Sequence, residues 1–237
     1  MKYIFTTLAI GESYLDSAVS LHKSILNKTT SDFNITTDQE YNNFDRLNFN
    51  KLNLENYHDK RTGFSFYYNL KVLSLKYCLD KNYDYIVYTD ADWRSRDEFS
   101  EQKFLDLFQH MEKNNIDFCF ERPAPIGPNK RNLDNCFFQE KLRDYNVFEH
   151  DKWDDAHVVN EQFLVFRNSW KFRFFVRKWE EFLWYSIKNN IWNYAEGFEI
   201  GVSALEAQMK WDYSLFSFFL KNSFEFNDKL GNLWIRF

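Results

Sequence analysis

At 237 residues, with 44% hydrophobic residues and a net charge of -5 spread over interleaved acids and bases, the chain can fill the core of one α/β domain, and general disorder is excluded. There is no basic stripe to track a nucleic-acid backbone, no apolar run of the roughly 18 residues that spans a membrane, and no paired spacing among Cys78, Cys119 and Cys136 that marks a disulfide framework or a zinc site. Aromatic residues make up 21%; a coding sequence rich in A and T produces that bias, and the alternative is that some rings stack on sugar faces.

Lys2–Ala9 (KYIFTTLA) reads as a strand, not as the charged and then apolar opening of a secretory leader, so a reducing, cytoplasmic location is expected. Thr6 and Thr7 lie toward its carboxyl end, where they either read a nucleotide base or are ordinary strand threonines. Past Gly11, Tyr14–Asn27 carries Leu15, Ala18, Val19, His22, Ile25 and Leu26 at helical spacing, and Phe33–Thr36 is a weaker second strand. Strand, helix, strand at these lengths favours a parallel βαβ unit.

Thr37–Lys60 is polar and Asn-rich and is expected to wrap the surface with at most one short strand. Phe64–Leu79 is apolar nearly all round, as a helix buried beside a sheet should be. Lys71, one of its polar exceptions, is either a solvated stem or a cation for a phosphate.

Tyr85–Asp92 (YIVYTDAD) is the organising stretch. An apolar run of β-branched and aromatic residues ends in Asp90 and Asp92, and ligands of open α/β sheets collect at the carboxyl ends of strands. Two carboxylates there supply hard oxygen ligands that can hold a divalent cation against a diphosphate.

Trp93–Glu98 then reads as a polar turn, Ser100 as the N-cap of a helix carrying Phe104, Leu107, Phe108 and Met111, and Asp117–Glu121 as a strand. Pro123, Pro125 and Pro128 mark a stiff loop leaving the same sheet edge, and Lys130–Asp155 is a candidate acceptor-side insertion. His157–Arg167 reads as one strand, followed by a helix capped by Ser169. Trp192–Glu199 leads into a shorter helix reaching about Met209. Leu233–Phe237 is a possible edge strand.

The order of these pieces resembles the GT-A (nucleotide-diphospho-sugar transferase) glycosyltransferases. Four stretches carry the resemblance: KYIFTTLAIGESY with its helix, NLKVLSLKYCL, YDYIVYTDAD with an acid pair matching the family's DxD motif, and NEQFLVFRNS with the helix and EGFEIG after it. The resemblance implies a single domain with a mostly parallel, twisted central sheet flanked by helices, residues 1–92 forming the nucleotide-sugar half and 93–237 the acceptor half. It implies Mn²⁺ or Mg²⁺ held by Asp92, with Asp90 serving the metal or the donor ribose. Donor contacts are expected from Thr6, Thr7, Arg61, Lys71, Asp90 and Ala91, acceptor contacts from Gln162 and Trp192, and reaction-facing carboxylates at Glu196 and Glu199. The substrates implied are a UDP- or GDP-sugar and a glycan or glycoprotein acceptor. Many members complete the metal shell with a late histidine; here none follows His157, which leaves His150 and His157 as the candidates.

Two other classes compete. Phosphatases of the haloacid dehalogenase type also place Asp-x-Asp after an apolar strand, with one acid as nucleophile, but their pair stands near the start of the chain and is followed by Gly or Thr, where this chain has Trp93. A non-catalytic carbohydrate-binding module would keep the fold and the aromatic residues, yet would not need both acids.

Overall fold

The computed structural model describes residues 1–42, 46–57, 70–121, 123–125, 157–189 and 196–226. In chain order the elements are β1 (Tyr3–Ala9), α1 (Glu12–Leu26), β2 (Asp32–Thr37), β3 (Leu47–Lys51), a 3₁₀ turn (Leu54–Tyr57) and α2 (Lys71–Leu79). There follow β4 (Tyr85–Thr89), β5 (Trp93–Ser95), α3 (Glu101–Lys113), β6 (Phe118–Phe120), β7 (Pro123–Pro125), β8 (His157–Val159) and β9 (Phe163–Arg167). The last are α4 (Trp170–Asn189), α5 (Glu196–Glu206), a short π-helical turn (Phe216–Leu220) and β10 (Phe224–Phe226).

Six strands form the main sheet in the order β3-β2-β1-β4-β9-β6. The pairs β3–β2, β2–β1 and β1–β4 are parallel, and β9 runs antiparallel to both neighbours. The fold is thus mixed α/β, with a mostly parallel central sheet flanked by helices. Burial on both faces explains why β4, β6 and β9 are nearly continuous apolar runs. Alternate residues serve alternate layers: Phe5, Val87 and Val165 pack with Leu15 and Leu21 of α1 and Phe104 and Phe108 of α3. Ile4, Ile86, Tyr88 and Leu164 pack with Val72 and Leu75 of α2 and Phe172, Phe175 and Trp179 of α4.

Gly11 joins β1 to α1 at φ 84, a conformation that side-chain-bearing residues rarely adopt. Its N–H donates to Asp38 Oδ1 at 2.8 Å, tying this loop to the end of β2. At the other end of the sheet Asp117 is nearly inaccessible, and its carboxylate accepts from Arg167 Nη2 at 2.8 Å, Lys171 Nζ at 3.0 Å and the Lys210 N–H at 3.0 Å.

The structure corrects the sequence at three points. Trp93–Ser95 is not part of a turn: it pairs antiparallel with Phe224–Phe226, a partner too distant in the chain for local patterning to reveal. His157–Arg167 is not one strand: β8 pairs with β7, β9 enters the main sheet, and residues 160–162 turn between them. Ser100 stands at the head of α3 without a side-chain capping bond. Helix α2 is described only from Lys71, after Leu70 at its N-cap. By contrast, Ser169 Oγ does accept from the Phe172 N–H at 3.3 Å, as its capping role requires. The expectations for 64–69, the insertion Lys130–Asp155 and the tail Leu233–Phe237 lie outside the described residues.

Candidate active site

Three chain segments meet at the carboxyl edge of β4. The first is the acid pair. β4 ends at Thr89, and the Asp90 N–H donates to Gln162 O at 2.9 Å, so the loop entering β9 braces the residue that leaves β4. The second is the head of α2, where Lys71 is buried with 6% of its surface exposed. A cation in a helix's first turn opposes the helix dipole; here its partner is Asp90, whose Oδ1 lies 3.0 Å from Nζ. The third is the loop 160–162, in which Asn160 Oδ1 accepts from the Gln162 N–H at 3.1 Å. Asn160 Nδ2 in turn donates to Glu121 Oε2 at 3.0 Å. A hydrogen-bonded chain therefore runs from Asp90 through Gln162 and Asn160 to Glu121 at the end of β6.

The two acids of the pair differ in surroundings. Asp90 Oδ1 accepts from the Tyr88 phenol at 2.9 Å, and Oδ2 accepts from the Lys71 ammonium at 3.3 Å. Burial pushes the Asp90 carboxyl above its ordinary range, and the Lys71 charge pulls it back in part. Asp92 is 6% exposed, and its Oδ1 is buried without a hydrogen-bond partner among the described residues. Burial, and next the charge of Asp90, push the Asp92 carboxyl up to about 6.

A buried carboxylate oxygen with no donor is costly, and a proton or a divalent cation would remove that cost. The donor set is hard oxygen, which suits Mg²⁺ or Mn²⁺. Among the described residues no group of three or more His, Cys, Asp or Glu side chains could hold a metal ion. Ions of this kind are commonly bound by one or two carboxylates completed by substrate phosphates and water, so Asp90 and Asp92 fit the role. His150 lies outside the described residues, and of His157 the structure describes only the backbone, in β8.

The other expected site residues divide. Ala91 is buried between the acids, and Gln162 is brought to them through its backbone. Thr6 sits in mid-strand opposite Asn34 and Tyr88, fully buried, its hydroxyl accepting from Asn34 Nδ2 at 3.0 Å and donating to Ser74 O at 3.3 Å. Thr7 is equally buried, and its hydroxyl has no hydrogen-bond partner among the described residues. Glu199 is fully buried in α5 and accepts from the Trp179 indole N–H at 3.1 Å. Glu196 opens α5. Arg61 and Trp192 lie outside the described residues. Sequence reasoning missed Tyr88, Glu121 and Asn160. The polar triplet Asn160–Glu161–Gln162, interrupting an apolar run, was the available signal for the last.

No family model and no curated protein sequence matches the chain. Among solved structures it is similar to galactosyltransferase LgtC in complex with donor and acceptor sugar analogues, at 14% identity over 89% of this chain and 72% of that one, with a TM-score of 0.49. It is also similar to mouse xyloside xylosyltransferase 1 in its apo form, at 9% identity over 90% of this chain and 85% of that one, with a TM-score of 0.47. Among the described residues no helix is long and apolar enough to cross a membrane.

Proposed function

We propose that the chain is a metal-dependent glycosyltransferase that moves a sugar from a UDP- or GDP-sugar to a hydroxyl of a glycan or glycoprotein, within glycan biosynthesis. The observation that carries this reading is Asp92 Oδ1, buried and without a hydrogen-bond partner beside a second carboxylate at the carboxyl edge of a parallel strand. Asp92 and Asp90 hold Mn²⁺ or Mg²⁺, and the ion, when bound, neutralises charge developing on the departing nucleoside diphosphate. The acceptor oxygen bonds to the anomeric carbon as the bond from that carbon to the diphosphate oxygen breaks, and a carboxylate takes the acceptor's proton.

The chain's own residues have these parts. Lys71 neutralises one of the two acids and, with Arg61, faces the donor's phosphates or ribose. Ala91 lets the donor approach the acid pair closely, and Thr6 and Thr7 line the base-proximal strand. Gln162 and Trp192 face the acceptor. Glu196 meets the acceptor hydroxyl, and Glu199 fixes the helix that presents it through Trp179. Cys78 and Cys119 are buried free thiols, which suits a reducing cytoplasm. Residues 1–92 form the donor half and 93–237 the acceptor half.

The test is a panel of UDP- and GDP-sugars incubated with the protein and Mn²⁺. Release of nucleoside diphosphate supports the transferase. Release of phosphate from simple phosphomonoesters instead would favour a phosphatase, and silence in both with sugar binding retained would favour a binding module.

A further inference from the structure

Asp90 is oriented from two sides, and one of them is its own strand. Tyr88 precedes it by two residues, the spacing that puts two side chains on one face of a strand. The Tyr88 ring is 1% exposed, packed in the same layer as Ile4, Leu70 and Leu164. Its phenol leaves that layer to donate to Asp90 Oδ1 at 2.9 Å. Lys71 Nζ donates to the other oxygen, Oδ2, at 3.3 Å, lies 3.0 Å from Oδ1 and stands 5.8 Å from the centre of the Tyr88 ring. One carboxylate of the pair is therefore gripped by a neutral and a charged donor, while the Oδ1 of the other meets no donor among the described residues.

We infer that Tyr88 is a positioning residue of the cation site: its phenol and the Lys71 ammonium hold the Asp90 carboxylate in one orientation, so that a divalent cation meets a preset pair of acids. This rests on the reading of Asp90 and Asp92 as cation ligands. The physical basis is that a carboxylate's terminal torsion is broad when nothing restrains it. Partners that orient a ligand from behind commonly carry a tenfold to hundredfold share of metal affinity. The competing explanation is that a buried phenol simply needs an acceptor, with Asp90 the nearest one. The two explanations part on removal of the hydroxyl, since Tyr88→Phe keeps the ring and its packing.

The experiment is calorimetric titration of the full chain with Mn²⁺, with and without UDP, for wild type, Tyr88→Phe and Asp92→Asn. Wild type should bind, Asp92→Asn should not, and Tyr88→Phe should bind about tenfold or more weakly with its metal-free melting temperature close to wild type. A Mn²⁺ affinity in Tyr88→Phe equal to wild type overturns the inference and leaves the cation site standing. A wild type that binds no Mn²⁺ in either condition overturns the cation site and the inference together. A measurement without mutation guards against a variant that fails to fold: Mg²⁺ should shift the ring resonances of ¹³C-labelled Tyr88 in the wild type, and unmoved resonances under saturating Mg²⁺ would contradict the inference.

Discussion

Lys71 Nζ lies 3.0 Å from Asp90 Oδ1, so the head of helix α2 and the end of strand β4 are joined by an ion pair shielded from solvent on the lysine side. A solvated helix lysine is thereby excluded, and the cation stands at the acid pair. One ammonium for two carboxylates leaves the acid pair net negative when both are ionised, a charge that suits a divalent ion.

Replacing Lys71 by Met keeps the stem and removes the charge. Asp90, four-fifths buried at its side chain, then loses its counter-charge, which should destabilise the fold by about 2–3 kcal/mol. Affinity for UDP or GDP with Mn²⁺ should fall by roughly 1–3 kcal/mol. Urea unfolding and nucleotide titration measure the two effects, and an unchanged urea midpoint would show that the pair contributes nothing.

In the metal-free protein Asp92 is a liability. Its carboxyl is raised to about 6 by burial and by Asp90, above the ordinary value near 4. The folded state therefore favours the proton, and stability is lost as pH rises from about 4 through about 6. Asp92→Asn, neutral throughout, should be more stable than wild type at pH 7.5 by about 2–3 kcal/mol without metal, and the gap should close toward pH 4. Thermal melts across that window in the presence of a chelator decide it. A variant less stable than wild type at pH 7.5 would refute the buried-charge explanation.

The parts of this architecture that are legible in the sequence are those set by local pattern. The strand β4 and the acids that close it are readable because burial on both faces demands an unbroken apolar run and the carboxylates end it. What depends on distant partners is not. Trp93–Ser95 carries no strand signal by itself, because Phe224–Phe226 supplies its ladder. The break at Asn160–Gln162 is visible only as a polar interruption, and its purpose emerges when Gln162 O is found bracing Asp90. Thr6 reads equally as a site residue or an ordinary strand threonine, and its hydroxyl's bonds to Asn34 in β2 and Ser74 in α2 join distant segments that local pattern does not reveal. Glu199 in an early helical turn reads as a reaction-facing acid or a dipole partner, and its bond to the Trp179 indole on another helix is not legible in the local sequence.

Asp117 should govern the acid arm of stability. Burial pushes its carboxyl up, but the Lys210 N–H, Lys171 and Arg167 outweigh that and hold it below the usual carboxylate range. The stabilisation is present above that usual range and is lost as pH falls through the depressed value. Asp117→Asn should cost about 3 kcal/mol at pH 7, with the difference shrinking below about pH 4. Melting temperatures of both proteins between pH 2.5 and 7 test this, and parallel curves over the whole range would contradict it.

Glu196 and Glu199 should separate by what their loss changes. Glu199→Ala leaves the Trp179 indole N–H buried without its acceptor and should cost about 1–3 kcal/mol of stability. Glu196→Gln should instead lower turnover by about two orders of magnitude or more at unchanged melting temperature, as loss of a general base does. If Glu196→Gln is fully active, the carboxylate that meets the acceptor lies elsewhere, with Asp151, Asp154 and Asp155 the next to replace.

The most direct measurement is Mn²⁺-dependent breakdown of a UDP- or GDP-sugar by wild type and by Asp92→Asn, followed as released nucleoside diphosphate. Asn keeps the size of the side chain and removes the charge that balances the cation. Wild type should release UDP or GDP only with Mn²⁺ or Mg²⁺ present, and Asp92→Asn should be inactive while remaining folded. Wild-type turnover by Asp92→Asn in Mn²⁺ would contradict the assignment of the acid pair as the catalytic cation site.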